Sequence, residues 1–122
     1  MLADDRGGSL RRRRHSGLAH WKWQRFSAVA VLGLMIYFTV LLASLGGLDH
    51  EGASGLVGHP ANAAALAALV LIGLWHGSLG LQVVIEDYIT LGGGRNAALL
   101  VMRIVMSSVG LASLWALTRV AL

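Results

Sequence analysis

Three long stretches of apolar residues constrain the fold of this chain more than any other feature. They cover residues 26–45, 60–85 and 96–120, and few charges interrupt them. Each has the roughly 20 residues that an α-helix needs to cross the hydrocarbon layer of a bilayer. Because that layer offers no water to unpaired backbone groups, a segment of this kind crosses it as a helix. The sequence therefore predicts an all-α integral membrane protein with three transmembrane helices.

The composition agrees with a membrane protein and excludes several kinds of chemistry. Hydrophobic residues make up 56% of the 122 residues and charged residues 13%, about half the usual share of about 25% in soluble domains. Without cysteine, the chain has no disulfide, no thiol catalysis and no iron–sulfur ligand of its own. The glycines at 92–94 lack the Lys-Ser/Thr of a phosphate-binding loop. With neither a zinc-ligand pair nor a nucleophile beside its base, no catalytic residue is predicted.

The basic residues are concentrated at the N-terminus. Seven of the ten precede Phe26, including a run of four arginines at 11–14. Beside transmembrane segments such a run is more typical of a topology signal that contacts membrane lipid than of nucleic-acid binding. The positive-inside rule predicts a basic cytoplasmic tail at residues 1–25 and a membrane domain at 26–122. It places a loop at 46–59 outside and a second loop at 86–95, with a helix break at 90–94, inside. We expect no cleavable signal peptide, because the first apolar stretch is too long and begins too late.

One histidine, His76, lies near the middle of the second apolar stretch. An imidazole at membrane depth is costly without a partner, and two interpretations remain open. His76 is either a helix-packing residue hydrogen-bonded to a neighbouring serine or carbonyl, or an axial ligand of a haem iron through a neutral nitrogen. Gly73, Gly77 and Gly80 share its helix face, where they allow either close helix packing or clearance for a porphyrin.

The positions of the other histidines bear on the haem interpretation. All four lie in the N-terminal tail or in the predicted outer loop. A second axial ligand would therefore have to come from another polypeptide. The haem interpretation thus predicts a hetero-oligomer.

Two polar residues, Asp87 and Tyr88, end the same stretch. Eleven helical residues turn about 1100°, so Asp87 lies on nearly the same face as His76. Tyr88 is either an interfacial anchor or a phenol that donates a hydrogen bond to a quinone carbonyl, with Asp87 nearby for proton supply. Arg25, before the first stretch, is either a snorkelling cation or a residue that faces the cofactor together with Ser27. In the second case Arg25 pairs with a haem propionate through charge-assisted hydrogen bonds.

Two segments resemble a known family. Residues 76–88, from His76 to Asp87 and Tyr88, resemble the second-helix motif of the hydrophobic membrane-anchor subunits of succinate dehydrogenase, or complex II. Residues 20–28 resemble the Trp-x-x-Gln-Arg-x-Thr/Ser-Ala start of that family's first helix. The chain departs from the family in its arginine-rich tail, in the serine at 27 where threonine is common, and in its triple glycine.

The resemblance implies a role for each candidate residue. His76 would be one axial ligand and iron ligand of haem b, and a histidine of a second membrane-anchor subunit would be the other. Tyr88 and Asp87 would border the ubiquinone site against that second anchor and the iron–sulfur subunit, and Arg25 would lie near the haem propionates. The three helices would form part of a bundle completed by the second anchor.

The same resemblance implies a non-catalytic anchor of an oxidoreductase complex. The complex would include a flavoprotein subunit and would link the tricarboxylic acid cycle to electron transport in the bacterial inner membrane. Two alternatives remain open: a cofactor-free membrane interaction protein, and the anchor of a related fumarate reductase.

Overall fold

A computed structural model describes residues 5–89 and 92–122, with side chains from Gly17 onwards. The described chain forms four helices and no strand: α1 (Asp5–Ser44), α2 (His50–Gly58), α3 (Pro60–Tyr88) and α4 (Gly92–Ala121). Three helical segments are long and apolar enough to cross a membrane: Gly17–Ser44, Pro60–Tyr88 and Gly92–Ala121. The predicted all-α fold with three transmembrane helices is confirmed.

The N-terminal region is helical from Asp5 onwards, in continuity with the first apolar stretch. Helix propagation costs little once a helix exists, and arginine is a good helix former. The division into a tail at 1–25 and a membrane domain stays a prediction. At its other end α1 stops at Ser44, and Gly47 follows with a φ of 84°. Glycine suits this left-handed position because it has no Cβ to clash with the backbone.

The segment predicted as an outer loop contains a helix instead, so the expectation of a continuous loop at 46–59 was wrong. Asp49 caps α2 by accepting a hydrogen bond from the backbone N–H of Gly52 at 2.8 Å. Such a cap satisfies one of the free donors at a helix start. The next helix begins directly afterwards, with Pro60 in the first turn of α3 as expected.

The predicted break at 90–94 is placed differently in the structure. α3 ends at Tyr88, and Ile89 follows with an extended backbone. Thr90 and Leu91 lie outside the described residues. The triple glycine does not interrupt a helix but forms the first turn of α4. Glycine destabilises a helix mainly in its middle, through lost backbone entropy, so a helix loses less by placing it in the first turn.

α3 is the central helix of the bundle. It packs against α1 on one side and α4 on the other, while α1 and α4 make no contact with each other within the described residues. Ser27 of α1 lies beside His76, and Tyr37 of α1 lies beside Asn62, so α1 and α3 are antiparallel. The N-terminal part of α1 and the C-terminal end of α3 are therefore at the same end of the bundle.

The other end of the bundle is joined by a polar chain of hydrogen bonds. The Tyr37 hydroxyl donates to Asn62 Oδ1, and Asn62 Nδ2 donates to the carbonyl of Leu56 at 2.6 Å. These bonds connect α1, α3 and α2. Polar side chains that meet in this way hold helices together where the surroundings are apolar.

A close backbone contact holds α2 against the end of α4, and it depends on Gly58. A Cβ at this position would lie 2.6 Å from the carbonyl oxygen of Val120. We expect Gly58→Ala to lower the free energy of unfolding by about 1–3 kcal/mol, because the backbone of α4 must shift. The measurement is the unfolding midpoint of the purified protein in detergent.

Gly55→Ala is the matched control, since a Cβ at Gly55 in the same helix meets nothing within 4 Å. An alanine in a helix is favoured over glycine, so this variant should be as stable as the parent or slightly more stable. Equal midpoints for the two variants would contradict the contact between α2 and α4.

Candidate functional site

The His76 side chain is held by a residue of the neighbouring helix. Its Nδ1 lies 2.9 Å from the Ser27 hydroxyl of α1. That hydroxyl also donates to the backbone carbonyl of Gln24 at 3.0 Å. Ser27 is buried, with 6% of its surface exposed, and His76 is half-buried. One ring nitrogen of the imidazole is therefore engaged within the chain.

A pair of tryptophans packs beside this hydrogen bond. The rings of Trp23 and Trp75 have centroids 5.9 Å apart at an angle of 37°. Trp23 lies one helical turn before Ser27 on the same face of α1, and Trp75 directly precedes His76. This aromatic contact, together with the hydrogen bond, fixes α1 against α3 at the depth of the histidine.

The glycines around His76 have open space beside them. A Cβ built on Gly73, Gly77 or Gly80 meets no atom of the chain within 4 Å. Gly110 of α4 differs, because a Cβ there would lie 3.1 Å from Leu74 Cδ1 of α3. Close packing between α3 and α4 therefore uses Gly110. We call Gly73, Gly77 and Gly80 the open glycine surface.

The two polar residues at the end of α3 are strongly exposed. Tyr88 has 84% of its surface accessible, and Asp87 is exposed as well. Both lie in the same continuous helix as His76, so the helical spacing that puts Asp87 on its face applies. Tyr88 is twelve residues from His76, which corresponds to about 18 Å along the axis. The two candidate positions are therefore separate along one helix.

An ion pair that the sequence reasoning missed lies next to Asp87. Glu86 accepts a hydrogen bond from Gln82 Nε2 at 2.9 Å and pairs with Arg95 of α4 at 3.3 Å. The spacing of four residues between Gln82 and Glu86 is a signal that the sequence contained. The partnership with Arg95 was not visible, because it depends on how the chain turns between α3 and α4.

Arg25 lies on a different side of α1 from the contact with His76. Its guanidinium is 4.5 Å from the centre of the Trp21 ring, an arrangement typical of a cation–π interaction. Arg25 precedes Ser27 by two residues, which is about 200° around the helix. The structure thus brings Ser27 and His76 together but leaves Arg25 apart. Its role at a haem propionate stays a prediction.

The described residues contain no group of three or more His, Asp or Glu side chains that could hold a metal ion. Three long apolar helices, one of which carries an imidazole beside an open small-residue surface, define a helical membrane protein.

The comparison with known proteins agrees with that class. The chain belongs to the family of succinate dehydrogenase/fumarate reductase transmembrane subunits, whose model matches residues 9–117. The resemblance inferred from the motifs is confirmed. No solved structure is significantly similar to the chain.

Several relatives carry the same description, "succinate dehydrogenase hydrophobic membrane anchor subunit". The protein of Paracoccus denitrificans is 33% identical over 108 residues, which cover 88% of this chain and 83% of the relative. The protein of Rickettsia felis is 33% identical over 95 residues, covering 75% and 76%. That of Rickettsia conorii is 34% identical over 93 residues, covering 73% and 71%.

Proposed function

We propose that this chain is the hydrophobic membrane-anchor subunit of a bacterial succinate dehydrogenase, where it ligates haem b and forms part of a ubiquinone-reduction site. The observation that carries this proposal is the arrangement of His76 beside the open glycine surface. The family and its relatives support the anchor role. The chain contributes a ligand, a wall of the quinone site and a docking surface, while the dehydrogenase chemistry belongs to partner subunits.

The residues around His76 fit a haem. Ser27 engages one ring nitrogen, which leaves the other for iron, and haem iron takes a neutral imidazole nitrogen. The open glycine surface leaves room for a flat macrocycle beside the histidine. When bound, haem b would supply a one-electron redox centre. His76 would hold its iron together with a histidine of the second membrane-anchor subunit.

Tyr88 and Asp87 are suited to a quinone that binds between subunits. A phenol keeps its proton at neutral pH and can donate a hydrogen bond to a quinone carbonyl. Tyr88 is exposed on this chain, so a quinone or a partner subunit has access to it. Reduction to the quinol takes up two electrons from the iron–sulfur subunit and two protons. Asp87, beside Tyr88, is a carboxylate through which those protons can pass.

The orientation that we propose puts this quinone site at the cytoplasmic face. α1 and α3 are antiparallel, so the basic N-terminal part of α1 lies at the same end of the bundle as Tyr88. Arg95, at the start of α4, is at that end too. Basic residues collect on the cytoplasmic side of bacterial membrane proteins. Electrons from a cytoplasmic iron–sulfur subunit would arrive at this side.

His76→Ala should abolish or change the b-type α band in the reduced-minus-oxidised visible spectrum of the complex purified through this chain. The reason is the loss of one of two axial ligands. His50→Ala is the control, because that histidine is exposed at the start of α2, away from the membrane-spanning segments. An unchanged band in intact His76→Ala complex would remove the histidine as a ligand and favour a cofactor-free interaction protein.

Tyr88→Phe should slow quinone reduction roughly ten- to hundredfold, the loss expected for one hydrogen bond to a substrate. The measurement is single-turnover reduction of quinone by the succinate-reduced complex. Tyr37→Phe is the matched control, since that hydroxyl bonds to Asn62 at the opposite end of the bundle. If both variants assemble and reduce quinone at the parent rate, Tyr88 has no part in the site.

Gly77→Leu should lower the haem content of the purified complex severalfold without unfolding the chain itself. A Cβ at Gly77 meets no atom of the other described helices within 4 Å, and a leucine would extend from it over the open glycine surface beside His76. Gly33→Leu is the control on α1, where a Cβ also meets nothing within 4 Å. Haem content is measured as haemochrome per complex. Parent content in Gly77→Leu would show that this surface does not border the cofactor.

A further inference from the structure

Among the described serine and threonine residues of the membrane helices, Ser27 is the one whose hydroxyl reaches a side chain of another helix. Thr39, Ser78 and Ser108 each donate to a carbonyl three or four residues earlier in the same helix. Ser27 does so as well, toward Gln24, but its oxygen also lies within hydrogen-bond distance of His76 on α3. It is the one polar side chain that is buried among the described residues. Its position therefore links α1 to the candidate ligand.

The contacts of Ser27 suit one proton arrangement of the imidazole. A serine hydroxyl has one proton, and the Gln24 carbonyl can only accept it. When Ser27 donates to that carbonyl, its oxygen accepts a hydrogen bond from Nδ1–H of His76. In a neutral imidazole the other nitrogen, Nε2, is then unprotonated and has a free lone pair. This is the form in which a histidine can bind a metal through Nε2.

We propose that Ser27 is a positioning residue that holds His76 in the Nδ1–H form, so that Nε2 is the nitrogen presented to iron. The proposal rests on the proposed function of His76 as a haem ligand. An acceptor on the far nitrogen fixes the ring orientation and raises the basicity of the ligand. A more basic ligand stabilises ferric haem, so the Ser27 hydroxyl should lower the midpoint potential.

The test compares Ser27→Thr with Ser27→Val in the purified complex. Threonine and valine have nearly the same shape, but only threonine keeps a hydroxyl. The midpoint potential, the electron paramagnetic resonance of ferric haem and the rate of haem loss in detergent are measured. Ser27→Thr should match the parent. Ser27→Val should raise the potential, shift the resonance and lose haem about tenfold faster, as expected when a hydrogen-bond partner of a metal ligand is removed.

Two outcomes separate this proposal from the haem ligation on which it rests. If Ser27→Val keeps the parent potential, resonance and haem retention, while His76→Ala loses the b-type band, Ser27 has no positioning role but His76 is still the ligand. If His76→Ala keeps the parent spectrum, the ligation itself is wrong, and the positioning role is overturned with it.

If Ser27→Val does not assemble, a measurement on the unsubstituted complex shows directly whether Nδ1 of His76 carries a proton. The chain is labelled with ¹⁵N at histidine Nδ1, and solid-state nuclear magnetic resonance is recorded on the reduced complex, in which low-spin ferrous haem is diamagnetic. His76 is assigned by the signal missing from a complex with His76→Ala. A proton bonded to the labelled nitrogen supports the proposal, and a labelled nitrogen that is bound to iron or has no proton overturns it.

Discussion

A polar side chain in the hydrocarbon layer needs a partner within the protein, because no water is available there. This constraint organises the bundle. Ser27 meets His76 near the middle of α1, and Tyr37 meets Asn62 closer to the C-terminal end of α1. The two contacts align α1 with α3 along its length, and α3 then lies between α1 and α4. His76, the candidate ligand, is therefore on α3, the helix that contacts the most other helices.

Apolar burial contributes much less to the structure of this chain alone. Among the described residues, only Leu41 and Met102 are large apolar side chains that are buried, while Leu111 and Trp115 are 71% and 68% exposed. Lipid covers apolar surface as well as protein does, so such exposure is no defect in a membrane. It also leaves the open glycine surface and the end of α3 uncovered by the rest of the described chain.

The candidate site could be predicted in part because its residues lie on one helix. The repeat of 3.6 residues per turn puts His76 and Asp87 on one face of the helix. It can be applied to the sequence without knowing where the other helices lie. The hydrogen bond between Ser27 and His76 and the pair of Glu86 with Arg95 each join two helices. Periodicity cannot place one helix beside another, and for this reason the sequence could name Ser27 as facing a cofactor but not as the partner of His76.

The sequence by itself determined the three transmembrane helices, because a long apolar stretch in a bilayer has no other way to satisfy its backbone. It also determined the family, through two motifs that resemble it, and the family match over residues 9–117 agrees. Tertiary structure decided what remained: the contact of Ser27 with His76, the pair of Glu86 with Arg95, and which glycines pack against a neighbouring helix and which stay open. These depend on the rotation and crossing of whole helices, which are set by a few contacts between residues far apart in the chain.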